Sequence, residues 1–167
     1  KSFKAFPIIA GKEVKTGNIV SRIDPSNPGI TVATVDFAGE KETEDALKIC
    51  NAAKEMWADV TTQDRTKIVR NIAKLMREKR HYLSAIMVRE AGKPWKEADA
   101  DTCEAIDFCE YYAEQAGKLA TPSLTAKVFG EQNYYSYQAR GIAAVISPWN
   151  FPLAITCGMT IEIGRAS

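Results

Sequence analysis

The chain has 167 residues, a length that suits one ordinary domain. Hydrophobic residues make up 46% and charged residues 26%, the balance of a soluble globular protein. The formal net charge of +1 argues against a strongly basic nucleic-acid surface. No apolar run reaches membrane-spanning length, and residues 1–6 are too short and too polar for a secretory signal. Residue 1 is Lys rather than Met, which reads as a processed chain or a piece of a longer one. Cys50, Cys103, Cys109 and Cys157 form no C-x-x-C pair and no zinc-like spacing. They read as buried free thiols in a reducing cytosol, so a cytoplasmic location is expected.

Ile8-Ile9-Ala10-Gly11-Lys12-Glu13-Val14 reads as a hairpin turning at Gly11-Lys12. Residues 19–23 supply another strand and residues 31–37 a further one. Between them, Asp24-Pro25-Ser26-Asn27-Pro28-Gly29 is rich in residues that preset φ or tolerate positive φ. Together these predict a small antiparallel layer with nothing catalytic in it. From about Lys41 the period becomes helical, with Ala46, Ile49, Ala53 and Trp57 on one face. Thr61-Thr62-Gln63-Asp64 offers a capping start for a second, long helix. Its stripe runs through Ile68, Ile72, Leu75, Leu83 and Met87, and it stops near Gly92, ahead of Pro94. The charges on it, among them Arg65, Arg70, Arg77 and Arg80, read as a solvated face. His81, the only histidine, reads as a surface or packing residue.

A third helix is predicted over about 95–117, burying Ala98, Thr102, Ala105, Ile106, Cys109, Tyr112, Ala113 and Ala116. Glu104 lies at the edge of that face, and spacing alone makes it a solvated residue. Residues 122–138 read as a hairpin with aromatic-rich strands. The aromatics serve either cross-strand packing within a subunit or an exposed edge awaiting a partner. Gly141-Ile142-Ala143-Ala144-Val145-Ile146 is then a short β-branched run, broken by Ser147-Pro148. Pro152 suits the first turn of a helix. The reading is a buried strand, a tight turn and an apolar helix from about Pro152. In open parallel sheets ligands bind at the carboxyl ends of strands, so this turn is where chemistry is expected.

Ser147-Pro148-Trp149-Asn150-Phe151-Pro152 resembles the P-W-N-F-P signature of NAD(P)-dependent aldehyde dehydrogenases. A second block, opening Glu90-Ala91-Gly92-Lys93-Pro94-Trp95 and running through Tyr111-Tyr112, resembles the 1-pyrroline-5-carboxylate (glutamate semialdehyde) dehydrogenase branch. The likeness extends from about residue 6 to about residue 160. It implies an α/β fold: the N-terminal part of an aldehyde dehydrogenase, with antiparallel strands, three helices, an oligomerisation hairpin and the first strand-turn-helix of a Rossmann-like NAD domain. The implied divisions are residues 1–121, 122–140 and 141–167. Residues 127–138 match an arm that makes subunit contacts, which implies a homo-oligomer. The branch occurs alone or joined to a proline dehydrogenase.

The family oxidises aldehydes with a cysteine nucleophile, NAD(P) as hydride acceptor, an Asn amide and a backbone N–H for the oxyanion, and a Glu base. Asn150 matches the oxyanion Asn; its bland alternative is an Asx-type turn residue bonding its own backbone. Ile146, Ser147, Pro148 and Trp149 match the turn that contacts NAD, with NADP as the alternative cofactor. Phe151 matches an aromatic flanking the aldehyde, with core packing as its alternative. Glu104 matches a Glu that approaches the substrate's amino end; Asp101 and Asp107, one turn either side, are its rivals in a slipped register. The Gln-x-Cys nucleophile and Glu-Leu-Gly-Gly base motifs do not occur in these 167 residues. Cys157 lacks the nucleophile's flanks, so the chain alone is expected to be inactive. Alternatives are another aldehyde dehydrogenase, such as one for succinate semialdehyde, or a non-catalytic binding module ending at Ser167.

Overall fold

A computed structural model describes residues 2–166 of the chain. Five strands come first: β1 (Phe3–Ala5), β2 (Ile8–Ile9), β3 (Lys12–Glu13), β4 (Ile19–Asp24) and β5 (Asn27–Asp36). β2 and β3 form the predicted hairpin, but its turn is Ala10-Gly11, one residue early, because Ile9 pairs with Lys12. Both turn residues have positive φ, 51° and 75°, as the two-residue turn favoured by strand twist requires. β4 and β5 pair antiparallel around Pro25-Ser26, so β5 starts inside the predicted turn. The layer is nonetheless mixed rather than antiparallel. β1 lies parallel to β5, with Phe3 opposite Ala33, giving the order β1-β5-β4. Parallel pairing depends on where the chain returns in space, which strand spacing does not encode.

Four helices follow: α1 (Glu40–Ala58), α2 (Thr62–Glu78), α3 (Arg80–Ala91) and α4 (Trp95–Leu119). The Glu42 carboxylate accepts from the Gly39 N–H at 2.8 Å and secures the start of α1. At its other end Arg65 Nη2 donates to the carbonyls of Trp57 (2.7 Å) and Ala58 (3.2 Å), with the guanidinium 5.1 Å from the Trp57 ring centre. Arg65 is therefore buried, not part of a solvated face. The last carbonyls of a helix lack intrahelical partners and attract cations. Burial in turn lowers the Arg65 pKa.

Thr61 caps α2 as predicted, accepting from the Asp64 N–H at 3.1 Å. The single long helix predicted through to Gly92 is instead two, broken at Lys79 (φ −102°, ψ 12°), so four helices rather than three precede the hairpin. The break lets α3 pack on α4 independently. Ser84 Oγ lies 3.0 Å from Thr102 Oγ1, both fully buried, and Arg80 Nε donates to Asp99 Oδ1 at 2.7 Å. α3 stops where expected, at Gly92 in the left-handed region (φ 67°).

α4 buries the predicted face, with Tyr112 half-covered. It packs on α2 and on α5 (Ala154–Ala166). The core is Val69 and Ala73 from α2, Ala105, Ile106, Cys109 and Ala113 from α4, and Ala154, Cys157 and Ile161 from α5. The small residues let helix backbones approach closely. At Gly158 of α5 an added Cβ would stand 2.9 Å from the Phe108 ring. Trp57 Nε1 donates to the Gly164 carbonyl at 3.2 Å and ties α1 to the end of α5.

Between α4 and α5 stands the predicted hairpin, β6 (Ser123–Val128) and β7 (Glu131–Tyr135). All of its residues are exposed, and neither strand contacts another element among the described residues. The run at 141–147 forms no strand, because no strand among the described residues runs beside it. It is exposed except at half-buried Val145 and Ser147. α5 begins at Ala154, two residues after the predicted start, with the Cys157 N–H donating to the Leu153 carbonyl at 2.9 Å.

Candidate active site

The turn at 149–153 is fastened from two sides. On one side, Ser147 Oγ lies 2.6 Å from Thr156 Oγ1, which itself donates to the Pro152 carbonyl at 3.0 Å. That hooks the approach to the turn onto the first turn of α5. On the other side stands Lys93, between the Gly92 stop and the start of α4. Pro94 biases the residue before it toward extended backbone. Lys93 Nζ donates to Asp101 Oδ2 at 2.6 Å and to the Asn150 carbonyl at 3.0 Å, and it lies 4.5 Å from the Phe151 ring centre. An ammonium so close to an aromatic face gains cation–π attraction.

Asp101 closes the arrangement. Its side chain is fully buried, and Oδ1 accepts from the Ala154 N–H at 2.7 Å. Ala154 is the first residue of α5, where helix amides lack partners and the helix dipole favours negative charge. One carboxylate thus holds both the Lys93 ammonium and the start of α5.

Asn150 is exposed, and its side-chain amide bonds neither its own backbone nor any other described residue. It faces a cleft of about 260 Å³ lined by Gly92, Lys93, Pro94, Glu97, Trp149 and Phe151. Phe151 is 40% exposed, so its ring is a wall of this cleft rather than a core residue. Trp149 (85%) and Ile146 (88%) stand almost bare in solvent, and Pro148 is exposed as well. The structure thus gathers Trp149, Asn150 and Phe151 at one cleft, with Ile146, Ser147 and Pro148 leading into it. Glu104 does not line this cleft. It is exposed on α4, three residues past Asp101, and makes no ion pair among the described residues.

Lys93 and Asp101 are the two residues that sequence reasoning passed over, Asp101 having figured only as a rival of Glu104. Its signal was present. Asp101 falls three residues after Ala98 and four before Ala105, on the buried stripe itself.

The cysteines correct one expectation. Cys50 is exposed and Cys103 half-buried, while Cys109 and Cys157 are buried with sulfurs 3.5 Å apart. The neighbouring Cys157 sulfur, and then burial, push the Cys109 thiol far above its ordinary range. Cys157 also points at the Ala105 carbonyl, 3.6 Å away, inside the helix seam. Among the described residues no cluster of His, Cys, Asp and Glu could hold a metal ion, and no helix is long and apolar enough to cross a membrane.

Residues 13–163 match the aldehyde dehydrogenase family, and the chain belongs to it. Within that family it is similar to the 1-pyrroline-5-carboxylate dehydrogenase of Geobacillus sp. (strain WCH70), with 43% identity over 159 residues, 95% of this chain and 31% of that protein. Its counterpart in Bacillus subtilis (strain 168) is 39% identical over the same shares of the two chains. The solved 1-pyrroline-5-carboxylate dehydrogenase from Thermus with bound NAD superposes with a TM-score of 0.90 at 36% identity, covering 99% of this chain and 33% of that one. Proline utilization A (PutA) from Bdellovibrio bacteriovorus gives a TM-score of 0.93 at 38% identity, over 98% of this chain and 17% of that one. The chain therefore spans about a third of the length of the curated relatives it matches.

Proposed function

We propose that this chain supplies the N-terminal part of an NAD-dependent 1-pyrroline-5-carboxylate dehydrogenase, which oxidises glutamate semialdehyde to glutamate in proline breakdown. The observation that carries the reading is Asn150: an exposed side-chain amide without a partner, on a backbone anchored from both sides. Attack of a thiolate on an aldehyde creates a tetrahedral oxyanion. A neutral amide donates to that charge without titrating, and preorganisation makes the donation effective. Phe151 flanks the aldehyde, and Glu104, exposed on α4 outside the lining of the cleft, offers a free carboxylate to an ammonium at the far end of the substrate. The nucleophile and the base lie outside these 167 residues in this reading.

Ile146, Pro148 and Trp149 stand bare and largely apolar around half-buried Ser147, a surface that fits a flat dinucleotide ring system. NAD, or NADP as the alternative, supplies the hydride acceptor when bound. The chain's own residues orient the ring and exclude water beside it. Residues 1–121 and 141–167 then belong to the NAD domain and residues 122–140 to a subunit-contacting arm. Phe129 at the arm's tip is fully exposed, with Val128, Tyr134 and Tyr135 more than half so, and a homo-oligomer would cover them. The likeness to the 1-pyrroline-5-carboxylate dehydrogenases supports a separate parent, and the likeness to PutA one joined to a proline dehydrogenase.

The test uses the whole gene product that carries this chain, with NADH formation from glutamate semialdehyde as the assay. Asn150→Ala is expected to lower kcat roughly 10²- to 10³-fold while NAD still binds. A folded parent that forms no NADH, or full turnover in Asn150→Ala, overturns the reading. Equal rates with a semialdehyde lacking the α-amino group would remove the role of Glu104.

A further inference from the structure

The buried pair Lys93–Asp101 does more than fill space between α3 and α4. We infer that Lys93 and Asp101 are positioning residues that hold the Asn150 amide in register with the start of α5, an inference that rests on the oxyanion reading of Asn150. The side chains are 11% and 0% exposed, so both charges have left water. Such a pair gains little net stability, because desolvation offsets the attraction. What this pair does have is geometry. Asp101 Oδ2 fixes the Lys93 ammonium at 2.6 Å, and the ammonium's second hydrogen bond ends on the Asn150 carbonyl at 3.0 Å. Asp101 Oδ1 ends on the Ala154 N–H at 2.7 Å. The same carboxylate thus sets the distance between the backbone of Asn150 and the first residue of α5, four positions on.

An Asn side chain has two rotatable bonds, so its amide reaches a fixed point only if its own peptide is fixed. The segment carrying it is otherwise exposed turn, without sheet hydrogen bonds among the described residues. Lys93 also reaches the Phe151 ring, so both residues flanking the reacting carbon share one anchor. A displacement of about 1 Å at a catalytic donor costs up to roughly a hundredfold in rate. Two of the ammonium's three donors are already used, one on a carboxylate and one on a backbone carbonyl.

Removing one charge alone would confuse positioning with folding, since Lys93→Met leaves Asp101 buried and unpaired. The decisive variant is the double one, Lys93→Met with Asp101→Asn, made in the whole gene product. It removes both charges together, and the carboxamide oxygen introduced at position 101 can still accept from the Ala154 N–H. It is expected to keep the parent's thermal midpoint. In that folded variant kcat should fall roughly 10- to 100-fold, with KM for aldehyde and NAD within about threefold of the parent. Chymotrypsin cleavage after exposed Trp149 should speed up about tenfold or more while α4 stays uncut, because a loosened turn fits a protease more readily. A folded double variant with parental kcat overturns the inference, and so does an unchanged rate of cleavage after Trp149. Failure of the functional reading looks different: the parent itself oxidises no aldehyde, and cleavage after Trp149 alone then decides whether the pair holds the turn.

Discussion

Gly158→Ala sets two well-defined effects against each other. In an unstrained helix interior the change stabilises by about 1 kcal/mol, because glycine loses more backbone freedom on folding than alanine. Here the new methyl would stand 2.9, 3.1 and 3.2 Å from three atoms of the Phe108 ring. Carbon atoms prefer about 3.5–4.0 Å, so the ring must retreat by roughly half an ångström. Phe108 is half-buried and stacked on Tyr112 with ring centres 5.9 Å apart, so a retreat there presses on a second aromatic. Overpacking of this kind costs about 1–3 kcal/mol, which leaves a net loss of about 1 kcal/mol. With a urea slope of about 2 kcal/mol/M for a domain of this size, the midpoint should fall by about 0.5 M. Equilibrium urea unfolding followed by far-UV circular dichroism measures it. Gly117→Ala is the control, since a Cβ there meets nothing within 4 Å and only the favourable effect remains. A midpoint for Gly158→Ala equal to or above the parent's would refute the close-packed seam between α4 and α5.

The acid limb of stability should depend on Asp24. A hydrogen bond from the Arg89 guanidinium at 2.8 Å, and then the Ser26 N–H, hold this carboxyl below its usual range. Its folded pKa lies below the unfolded value of about 3.9, so its contribution is complete above that pH and is lost as pH falls through the folded value. Asp24→Asn should therefore weaken the dependence of the unfolding midpoint on pH below about pH 4 and leave its slope between pH 6 and 8 unchanged; an altered slope at neutral pH contradicts the assignment. Asp99 beside Arg80 and Asp64 beside Lys67 are depressed in the same sense and add to the limb. On the proposal that the hairpin carries subunit contacts, Phe129→Ser should weaken self-association roughly 10- to 100-fold, the equivalent of about 1.5–3 kcal/mol for one buried aromatic. Sedimentation velocity across a concentration series reads this directly, and an unaltered distribution would remove Phe129 from the interface.

The features legible in the sequence are those with a local cause. Thr61 with Asp64 marks a helix start because the hydroxyl reaches an amide three residues away. Gly92 marks a stop because the left-handed conformation suits glycine. The face of α4 follows from spacing alone. The break at Lys79 has no such cause, since neither glycine nor proline stands there; it follows from how Ser84 and Thr102 dock, contacts 18 residues apart. The parallel pairing of β1 with β5 and the burial of Arg65 are likewise set by partners distant in sequence. At the candidate site the Pro-Trp-Asn-Phe-Pro turn stood out in the letters, but what holds it did not. Lys93 reaches across 57 residues to the Asn150 carbonyl, and no pattern within a helix announces that.

The isolation of the β6–β7 hairpin separates two processes that share one chain. Among the described residues nothing in the α2–α4–α5 core leans on it, so the core forms at much the same cost whether the excursion between α4 and α5 is long or short. Loop-closure entropy varies only logarithmically, by about 0.6 kcal/mol for each doubling of length. Core formation is then a unimolecular event governed by the helix seam, and any association through the hairpin is a later, concentration-dependent one. Sequence change in the arm is correspondingly cheap. It can alter which surface the arm fits without altering the rate or the stability with which the helices beneath it assemble.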